Sequence, residues 1–190
     1  MKKKIAIFAS GAGSNARKLI DHFRDHAFAS VSLVVCNKPG AGVTQIAATE
    51  DIELLLIDRL SLQSEDFPKK LKEKGIDFIV LAGFLLKIPV SLVETFPGHI
   101  VNIHPALLPK YGGKGMYGQY VHEAVIAAKE AESGITIHLV DEQYDHGATL
   151  FQATCAVSAS DTPESLAQKV HFLEHQHFAP VVEKLILREI

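Results

Sequence analysis

The chain has 190 residues, of which 47% are hydrophobic and 22% are charged. A chain of this length and composition can bury a large apolar core, so residues 1–190 are predicted to form a single domain rather than a disordered segment or several modules. Its 19 Lys and Arg residues nearly balance its 22 Asp and Glu residues, giving a net charge of −3. This balance argues against a protein that binds nucleic acid through many phosphate contacts.

The cysteines and the apolar segments indicate where the protein acts. Cys36 and Cys155 are too few and too far apart for the disulfide framework of a small secreted module. The apolar run that follows Lys2–Lys4 is shorter than the roughly 7 to 15 residues of a signal-peptide core. The longest apolar stretch, Phe78–Leu86, is far shorter than the roughly 20 residues of a membrane span. We therefore expect a soluble, cytoplasmic protein.

Short apolar runs recur in the first part of the chain, and such runs are typical of parallel strands buried on both faces. Five strands are predicted, at residues 5–9, 31–35, 54–57, 78–81 and 100–103. Helical patterns separate them, at residues 16–23, 44–50, 65–74 and 90–94. This alternation predicts an α/β fold in which a parallel sheet carries helices on both faces.

The order of elements changes after residue 103. A predicted helix at 121–130 leads to two extended runs, 134–140 and 149–157, which are close enough in sequence to pair antiparallel at one sheet edge. A last helix begins at Asp161–Glu164, where Pro163 favours the first turn, and Pro180 is expected to break or kink it. The prediction is a doubly wound, Rossmann-like, mostly parallel sheet with an antiparallel C-terminal edge.

A glycine-rich segment, residues 10–15, follows the first predicted strand and is called the glycine loop below. It matches the G-x-G-x-x-[GA] pattern of dinucleotide sites, but the acidic residue expected after the second strand is replaced by Cys36–Lys38. A site for one phosphate fits better: the backbone N–H groups of Gly13, Ser14 and Asn15 would bind it at the helix N-terminus. A purely structural turn is the remaining alternative.

Asn102 and His104 lie two residues apart on the fifth predicted strand, so both side chains project to the same side at the ligand-binding edge of the sheet. An amide donor can stabilise the oxyanion of acyl transfer, and an imidazole exchanges protons near neutral pH. Asp141, Glu142 and Asp145 occupy a later turn, and a carboxylate beside His104 would raise its pKa. The alternative is that these side chains only satisfy backbone groups.

His171–His175 reads H-x-x-E-H, the pattern of one class of zinc peptidases. A catalytic zinc needs a third protein ligand, and the downstream candidates Glu183 and Glu189 are poorly placed. We therefore expect no metal site, but a helix face on which His171 and Glu174 contact a ligand or each other.

Five motifs together resemble the phosphoribosylglycinamide formyltransferase family. They are Ser10–Asn15, Val80–Phe84, Asn102–Tyr111, Gly134–His138 and Asp145–Gly147. They occur in the family's order and extend the resemblance from residue 5 to about residue 178. The stretch after Asn102 is also similar to methionyl-tRNA formyltransferase and formyltetrahydrofolate deformylase, but their additional domains do not fit within 190 residues.

The resemblance implies transfer of a formyl group from the co-substrate 10-formyltetrahydrofolate to the amine of 5-phosphoribosylglycinamide, in purine biosynthesis and without a metal. Asn102 and His104 would stabilise the oxyanion, His104 would be the proton donor, and Asp145 would hold His104 protonated. The residues implied for phosphoribosylglycinamide are Gly13, Ser14, Asn15 and Glu174. Those implied for folate are Leu85, Leu86, Lys87, Ile88, Asn102, Val140 and Asp141.

The resemblance also implies small-molecule substrates, with no nucleic-acid or membrane partner, and it predicts no oligomeric state. Two further hypotheses stay open. The first is a formyltransferase that acts on another amine. The second is a nucleotide- or folate-binding module without turnover.

Four features depart from the family pattern. Ser64 stands where members often have a positive side chain for the phosphate, and Leu86 stands where some have Arg, which leaves Lys87 near the folate tail. His146 replaces a glycine, so its turn must differ or be strained. Residues 111–120 form a longer segment, either a lid or a surface loop. The alternative cations for the phosphate are Lys69, Lys70 and Lys114.

Overall fold

The computed structural model describes residues 1–188 and forms, within them, one seven-stranded sheet flanked by helices. The strands are β1 (Lys3–Ala9), β2 (Ala29–Cys36), β3 (Glu53–Leu56), β4 (Phe78–Leu81), β5 (Ile100–His104), β6 (Glu132–Leu139) and β7 (Thr149–Ala156). The helices are α1 (Ser14–Phe23), α2 (Gly42–Thr49), α3 (Arg59–Gln63), α4 (Asp66–Glu73), α5 (Val90–Thr95), α6 (Gln119–Ala127) and α7 (Pro163–Leu187).

The strand order, β3-β2-β1-β4-β5-β6-β7, reverses direction at β1. The first five strands are parallel, with β1 between β2 and β4. β6 runs antiparallel to both β5 and β7. The predicted fold, a doubly wound and mostly parallel sheet with an antiparallel C-terminal edge, is confirmed. In such sheets a crevice forms beyond the carboxyl ends of the strands on either side of the reversal, here β1 and β4.

Alternating side chains of β1 supply two hydrophobic layers, one on each face of the sheet. Ile5 and Ile7 pack in the layer that includes α1, α2 and α7. Ala6 and Phe8 pack in the opposite layer, which includes α3, α4 and α5. All four side chains are fully buried, and burial of a large apolar side chain contributes about 1.5–3 kcal/mol to the free energy of unfolding. This packing fixes the end of β1, from which the glycine loop starts.

Helix α3 was not predicted, because five residues are too few to produce a clear 3.6-residue period. Its local signal is Asp58, whose carboxylate accepts a hydrogen bond of 2.7 Å from the N–H of Ser61 and so caps the helix. The backbone is extended at Ser64 and separates α3 from α4. Helix α6 also begins earlier than predicted. It ends earlier as well, because Lys129 adopts a left-handed conformation, with φ of 53°.

Helix α7 begins where the sequence predicted, with a capping box between Thr162 and Ser165. Of the two expected effects of Pro180, a break or a kink, the break is wrong, because the helix continues to Leu187. Pro180 and Gln176 are both exposed, so water can reach the Gln176 carbonyl that lacks a helical donor. Within residues 1–188, no helix has the length and apolar character needed to cross a membrane.

Candidate active site

A cavity of about 950 Å³ lies beyond the carboxyl ends of β1, β4 and β5. Its wall contains the glycine loop, the segment after β4, the end of β5, the turn after β6 and one face of α7. Every residue to which the family resemblance gives a role in catalysis or binding lines it: Gly13, Ser14, Asn15, Leu85, Leu86, Lys87, Ile88, Asn102, His104, Val140, Asp141, Asp145 and Glu174. The fold therefore brings the candidate residues together around one space, although their individual roles stay predictions.

The glycine loop is held by its neighbours and by its backbone conformation. Gly13, just before α1, is left-handed, with φ of 83°, and a Cβ atom there would lie 2.9 Å from the Cα of Val43. The Ser10 hydroxyl accepts a hydrogen bond of 3.0 Å from the N–H of Leu85 and donates to the side-chain oxygen of Asn37. These contacts connect the loop to the ends of β2 and β4.

Replacing Gly13 with Ala is expected to lower the free energy of unfolding by about 1–3 kcal/mol, because an L-residue is strained at this φ and its Cβ would also meet Val43. The matched control is Gly11→Ala. Gly11 lies in the same loop, outside the left-handed region, and its Cβ would meet nothing within 4 Å. Urea denaturation of the two variants checks this prediction, and equal stabilities would contradict it.

The amide of Asn102 is oriented by His138, the residue directly opposite it across the antiparallel β5–β6 pair. His138 Nδ1 donates to the Leu139 carbonyl over 2.8 Å, so its Nε2 accepts from Asn102 Nδ2 over 3.0 Å. An amide nitrogen carries two N–H groups, and the second one has no partner within residues 1–188. That N–H is available to a developing oxyanion in the cavity.

His104 and Asp145 face each other across a short gap. His104 Nε2 donates to the Tyr111 carbonyl over 2.8 Å, which leaves Nδ1 on the side of Asp145, 3.6 Å from its Oδ2 atom. The same Oδ2 accepts a hydrogen bond of 2.9 Å from the N–H of Gly113. The only ring nitrogen of neutral His104 that can take up a proton therefore points toward a carboxylate.

Burial determines the charge state of this pair. It lowers the pKa of His104, which is 4% exposed, and Asp145 opposes that effect only in part. The prediction that Asp145 holds His104 protonated is therefore corrected: the imidazole is neutral at pH 7. Burial acts to raise the pKa of Asp145, but His104 and the N–H of Gly113, both beside its Oδ2 atom, help to bring it below the usual range. Asp145 is thus ionised.

Glu174 connects α7 with the glycine loop. One of its oxygens accepts a hydrogen bond of 2.9 Å from Asn15 Nδ2 and lies 2.9 Å from His171 Nδ1. The contact with Glu174 raises the pKa of His171. The H-x-x-E-H pattern thus gives a paired histidine and glutamate in the cavity wall. Within residues 1–188 no three His, Cys, Asp or Glu side chains are grouped as metal ligands, and Glu189 lies outside that range.

Two of the four family departures concern cations. Ser64 does not line the cavity, and neither do Lys69 and Lys70, whereas Lys114 does. Lys38, which the sequence reasoning did not consider, also lines it next to the glycine loop. Lys87 is in the wall as expected, with its ammonium 5.5 Å from the centre of the Tyr144 ring.

The other two departures concern backbone segments. Asp145, not His146, takes the left-handed conformation in the turn after β6, with φ of 54°, so His146 fits there without that strain. His146 Nδ1 lies 3.0 Å from an oxygen of Asp141. The longer segment contributes residues 113–119 to the cavity wall, and its Gly113 contacts Asp145 as described. It is therefore part of the site rather than a remote surface loop.

Sequence reasoning assigned no role to two histidines of the site, His138 and His122. The signal for His138 was the strand pairing, since alternate residues of β6 face the same side as Asn102 once β5 and β6 are antiparallel. His122 lies three residues before Val125 on the buried side of α6. A lone histidine at such spacing predicts only a core position.

Comparisons with known proteins identify the family of this chain. The family described as Formyl transferase matches residues 3–182. A phosphoribosylglycinamide formyltransferase of Bacillus subtilis is 33% identical over 190 residues, covering 97% of this chain and 95% of the relative. The chloroplastic phosphoribosylglycinamide formyltransferase of Arabidopsis thaliana is 44% identical over 188 residues, covering 95% of this chain. The chain spans 64% of the length of that plant relative.

A solved structure gives the same result. The crystal structure of phosphoribosylglycinamide formyltransferase from Bacillus halodurans superposes with a TM-score of 0.87 and 35% identity, covering 97% of this chain and 95% of that one. The resemblance inferred from the sequence motifs is thereby confirmed. This chain belongs to the formyl transferase family.

Proposed function

We propose that the chain transfers a formyl group from 10-formyltetrahydrofolate to the amine of 5-phosphoribosylglycinamide, a step of purine biosynthesis. The observation that carries the proposal is the meeting of Asn102, His104 and Asp145 in one cavity wall that also contains the glycine loop and Glu174. An amide donor, a neutral imidazole and a carboxylate are the groups that transfer of an acyl group to an amine requires.

The acceptor is assigned to the side of the cavity formed by α1 and α7. Its phosphate would bind the N–H groups of Gly13, Ser14 and Asn15 at the start of α1, where the helix dipole favours an anion. Glu174 would accept hydrogen bonds from the ribose hydroxyls. Since Glu174 already contacts Asn15, the phosphate and ribose sites are neighbours, as a ribose 5-phosphate requires.

The folate would occupy the side formed by Leu85–Ile88 and by Val140 and Asp141. Backbone groups of these segments would pair with a pterin ring, apart from the N–H groups of Leu85 and Val140, which are bonded to the Ser10 hydroxyl and the Ile100 carbonyl. Ile88 is buried and closes the wall with an apolar side chain. The formyl carbon would then lie near Asn102, between the two substrate sites. No metal takes part in the proposed reaction.

The chemical steps follow from the protonation states. The acceptor amine attacks the formyl carbon, and the carbonyl oxygen becomes an oxyanion that accepts the second N–H of Asn102. The amine gives a proton to Nδ1 of neutral His104, and ionised Asp145 stabilises the imidazolium formed. His104 then donates this proton to the folate nitrogen as the bond between that nitrogen and the formyl carbon breaks. A new carbon–nitrogen bond to the acceptor remains.

The proposal includes the chain's partners and location. Small molecules are the expected partners, rather than nucleic acid or membranes, because the charge is balanced. A cytoplasmic location rests on Cys36 and Cys155, both of which are free thiols. The Arabidopsis relative is chloroplastic, so location is tested by fractionation of the source cells.

The direct test is an absorbance assay of folate release from a 10-formylated folate, with and without phosphoribosylglycinamide. Formylated product, identified by mass spectrometry, is expected only when both substrates are present. Turnover with other primary amines but not with phosphoribosylglycinamide would favour a formyltransferase of different specificity. Binding of both substrates without product would favour a module without turnover.

The phosphate site makes a separate prediction. Ser14→Glu is expected to raise the Michaelis constant for phosphoribosylglycinamide by about 10- to 100-fold, because two like charges would be adjacent, with little change in kcat. Ser14→Gln is the control of matched size without the charge. The assay is repeated with the dephosphorylated acceptor, ribosylglycinamide. If the unmodified protein binds both acceptors equally well, the glycine loop does not bind phosphate.

A further inference from the structure

His122 of α6 is a buried polar side chain in the cavity wall, and the reaction proposed above gives it no role. It is 5% exposed and lines the cavity. Its Nδ1 atom is buried and has no hydrogen-bond partner among the residues that the structure describes. Its Nε2 atom also makes no hydrogen bond within residues 1–188. Because buried polar groups are nearly always hydrogen-bonded, an unpaired imidazole beside a cavity indicates that a bound molecule supplies a partner for Nε2, the ring nitrogen that is not fully enclosed.

The surroundings of His122 define which part of a bound molecule it would meet. The cavity that it lines is shared with His104, at the end of β5, and with Glu174, on α7, and α6 packs directly against α7. Burial lowers the pKa of His122, while Glu174 acts to raise it and His104 to lower it. His122 is therefore neutral at pH 7, with one N–H donor and one acceptor nitrogen. Glu174 and His104 are both near enough to influence the charge of His122.

In the proposed reaction, His104 and Glu174 lie at the two ends of phosphoribosylglycinamide, which accepts the formyl group. The reacting amine lies at His104, and the ribose lies at Glu174. The part of phosphoribosylglycinamide that joins them is an amide, which has one N–H donor and one carbonyl acceptor. A neutral imidazole can pair with either group, whereas an aliphatic side chain at this position can pair with neither.

We infer that His122 binds the amide of the glycinamide portion and so determines which phosphoribosyl amine the enzyme accepts. This inference rests on the proposed function. It assigns His122 to substrate recognition and not to proton transfer. An acceptor that lacks the amide would leave the buried imidazole unpaired, and such acceptors are discriminated against for that reason.

The test compares His122→Met with His122→Gln, a pair of similar length and shape that differ in the terminal amide. Binding of phosphoribosylglycinamide and of ribose 5-phosphate, which lacks the amide, is measured by calorimetry. For His122→Met, phosphoribosylglycinamide should bind about 10-fold more weakly, while ribose 5-phosphate binds as it does to the unmodified protein. His122→Gln should retain most of the affinity for phosphoribosylglycinamide, since its amide can replace a ring nitrogen.

Three outcomes would overturn the inference. They are unchanged affinity of His122→Met for phosphoribosylglycinamide, an equal loss for ribose 5-phosphate, and an equal loss in both variants. Thermal denaturation checks that both variants fold, and His122→Met should be at least as stable as His122→Gln because it buries no polar group. If the unmodified protein formylates phosphoribosylglycinamide but His122→Met binds it normally, only this inference fails. If the unmodified protein does not bind it, the proposed function fails as well.

Discussion

Replacing Asn102 with Ala is expected to reduce kcat by about 10²- to 10³-fold, the usual cost of removing one oxyanion donor. The reason is that the second N–H of this amide has no partner within residues 1–188 and belongs to a side chain that lines the cavity, while the first is bound by His138. Affinity for phosphoribosylglycinamide should change little, because Asn102 contacts the formyl group only as negative charge develops on its oxygen. Steady-state kinetics with both substrates varied measures the two effects separately.

A matched control tests whether orientation of this amide matters. His138→Gln keeps an acceptor for the first N–H of Asn102, whereas His138→Leu removes it. The leucine variant should lose more of kcat than the glutamine variant. An Asn102→Ala enzyme with normal kcat would remove Asn102 from the mechanism and leave only a structural role at the end of β5.

Asp145→Asn is expected to reduce kcat by a similar factor, about 10²- to 10³-fold. The imidazolium formed during the reaction would lose a carboxylate 3.6 Å from Nδ1, and two opposite charges at about this distance interact by about 4 kcal/mol at an effective dielectric constant of about 20. The pKa of His104 should also fall further below its usual value, because Asp145 is the first among the groups that raise it. The variant keeps an oxygen for the N–H of Gly113, so the turn should stay folded.

The pKa is measured by an NMR titration of the His104 imidazole in the unmodified and Asp145→Asn proteins. Since the neutral form accepts the proton, activity of the unmodified protein should be constant above the pKa of His104 and decline as pH falls through it. In the variant this decline should occur at lower pH. An unchanged His104 titration would show that the two residues are not coupled, and the assigned role of Asp145 would then be wrong.

Much of the fold was predictable because the sheet is buried on both faces. A strand such as β4 has apolar side chains at every position, and that pattern distinguishes it from the amphipathic helices around it. The order of strands and helices followed from these runs. The short helix α3 and the continuity of α7 across Pro180 were not predictable, since one depends on a single cap and the other on which side of the helix faces water.

The site was predictable only in part, because some of its contacts join residues that are far apart in sequence. Asn102 and His104 are neighbours in sequence, so a shared strand was sufficient to place them together. The contact between Asn15 and Glu174 joins residues 159 positions apart, and no local pattern predicts it; the family resemblance implied only that both residues bind the same substrate. The charge of His104 depends on its burial, and burial against Tyr111 is a property of the folded chain alone. His122 was missed because a buried histidine on a helix does not differ in sequence from a core residue.

The uninterrupted course of α7 has a consequence for how substitutions act. One half of this helix presents Glu174 to the substrate side, and the other half is anchored in the interior through Phe178, Val182 and Ile186. Because a packed, continuous helix behaves as one rigid element, the position of the Glu174 carboxylate depends on side chains that do not line the cavity. We therefore expect conformational stability and the proposed recognition of the sugar to be linked, so that a substitution in the buried half of α7 changes both.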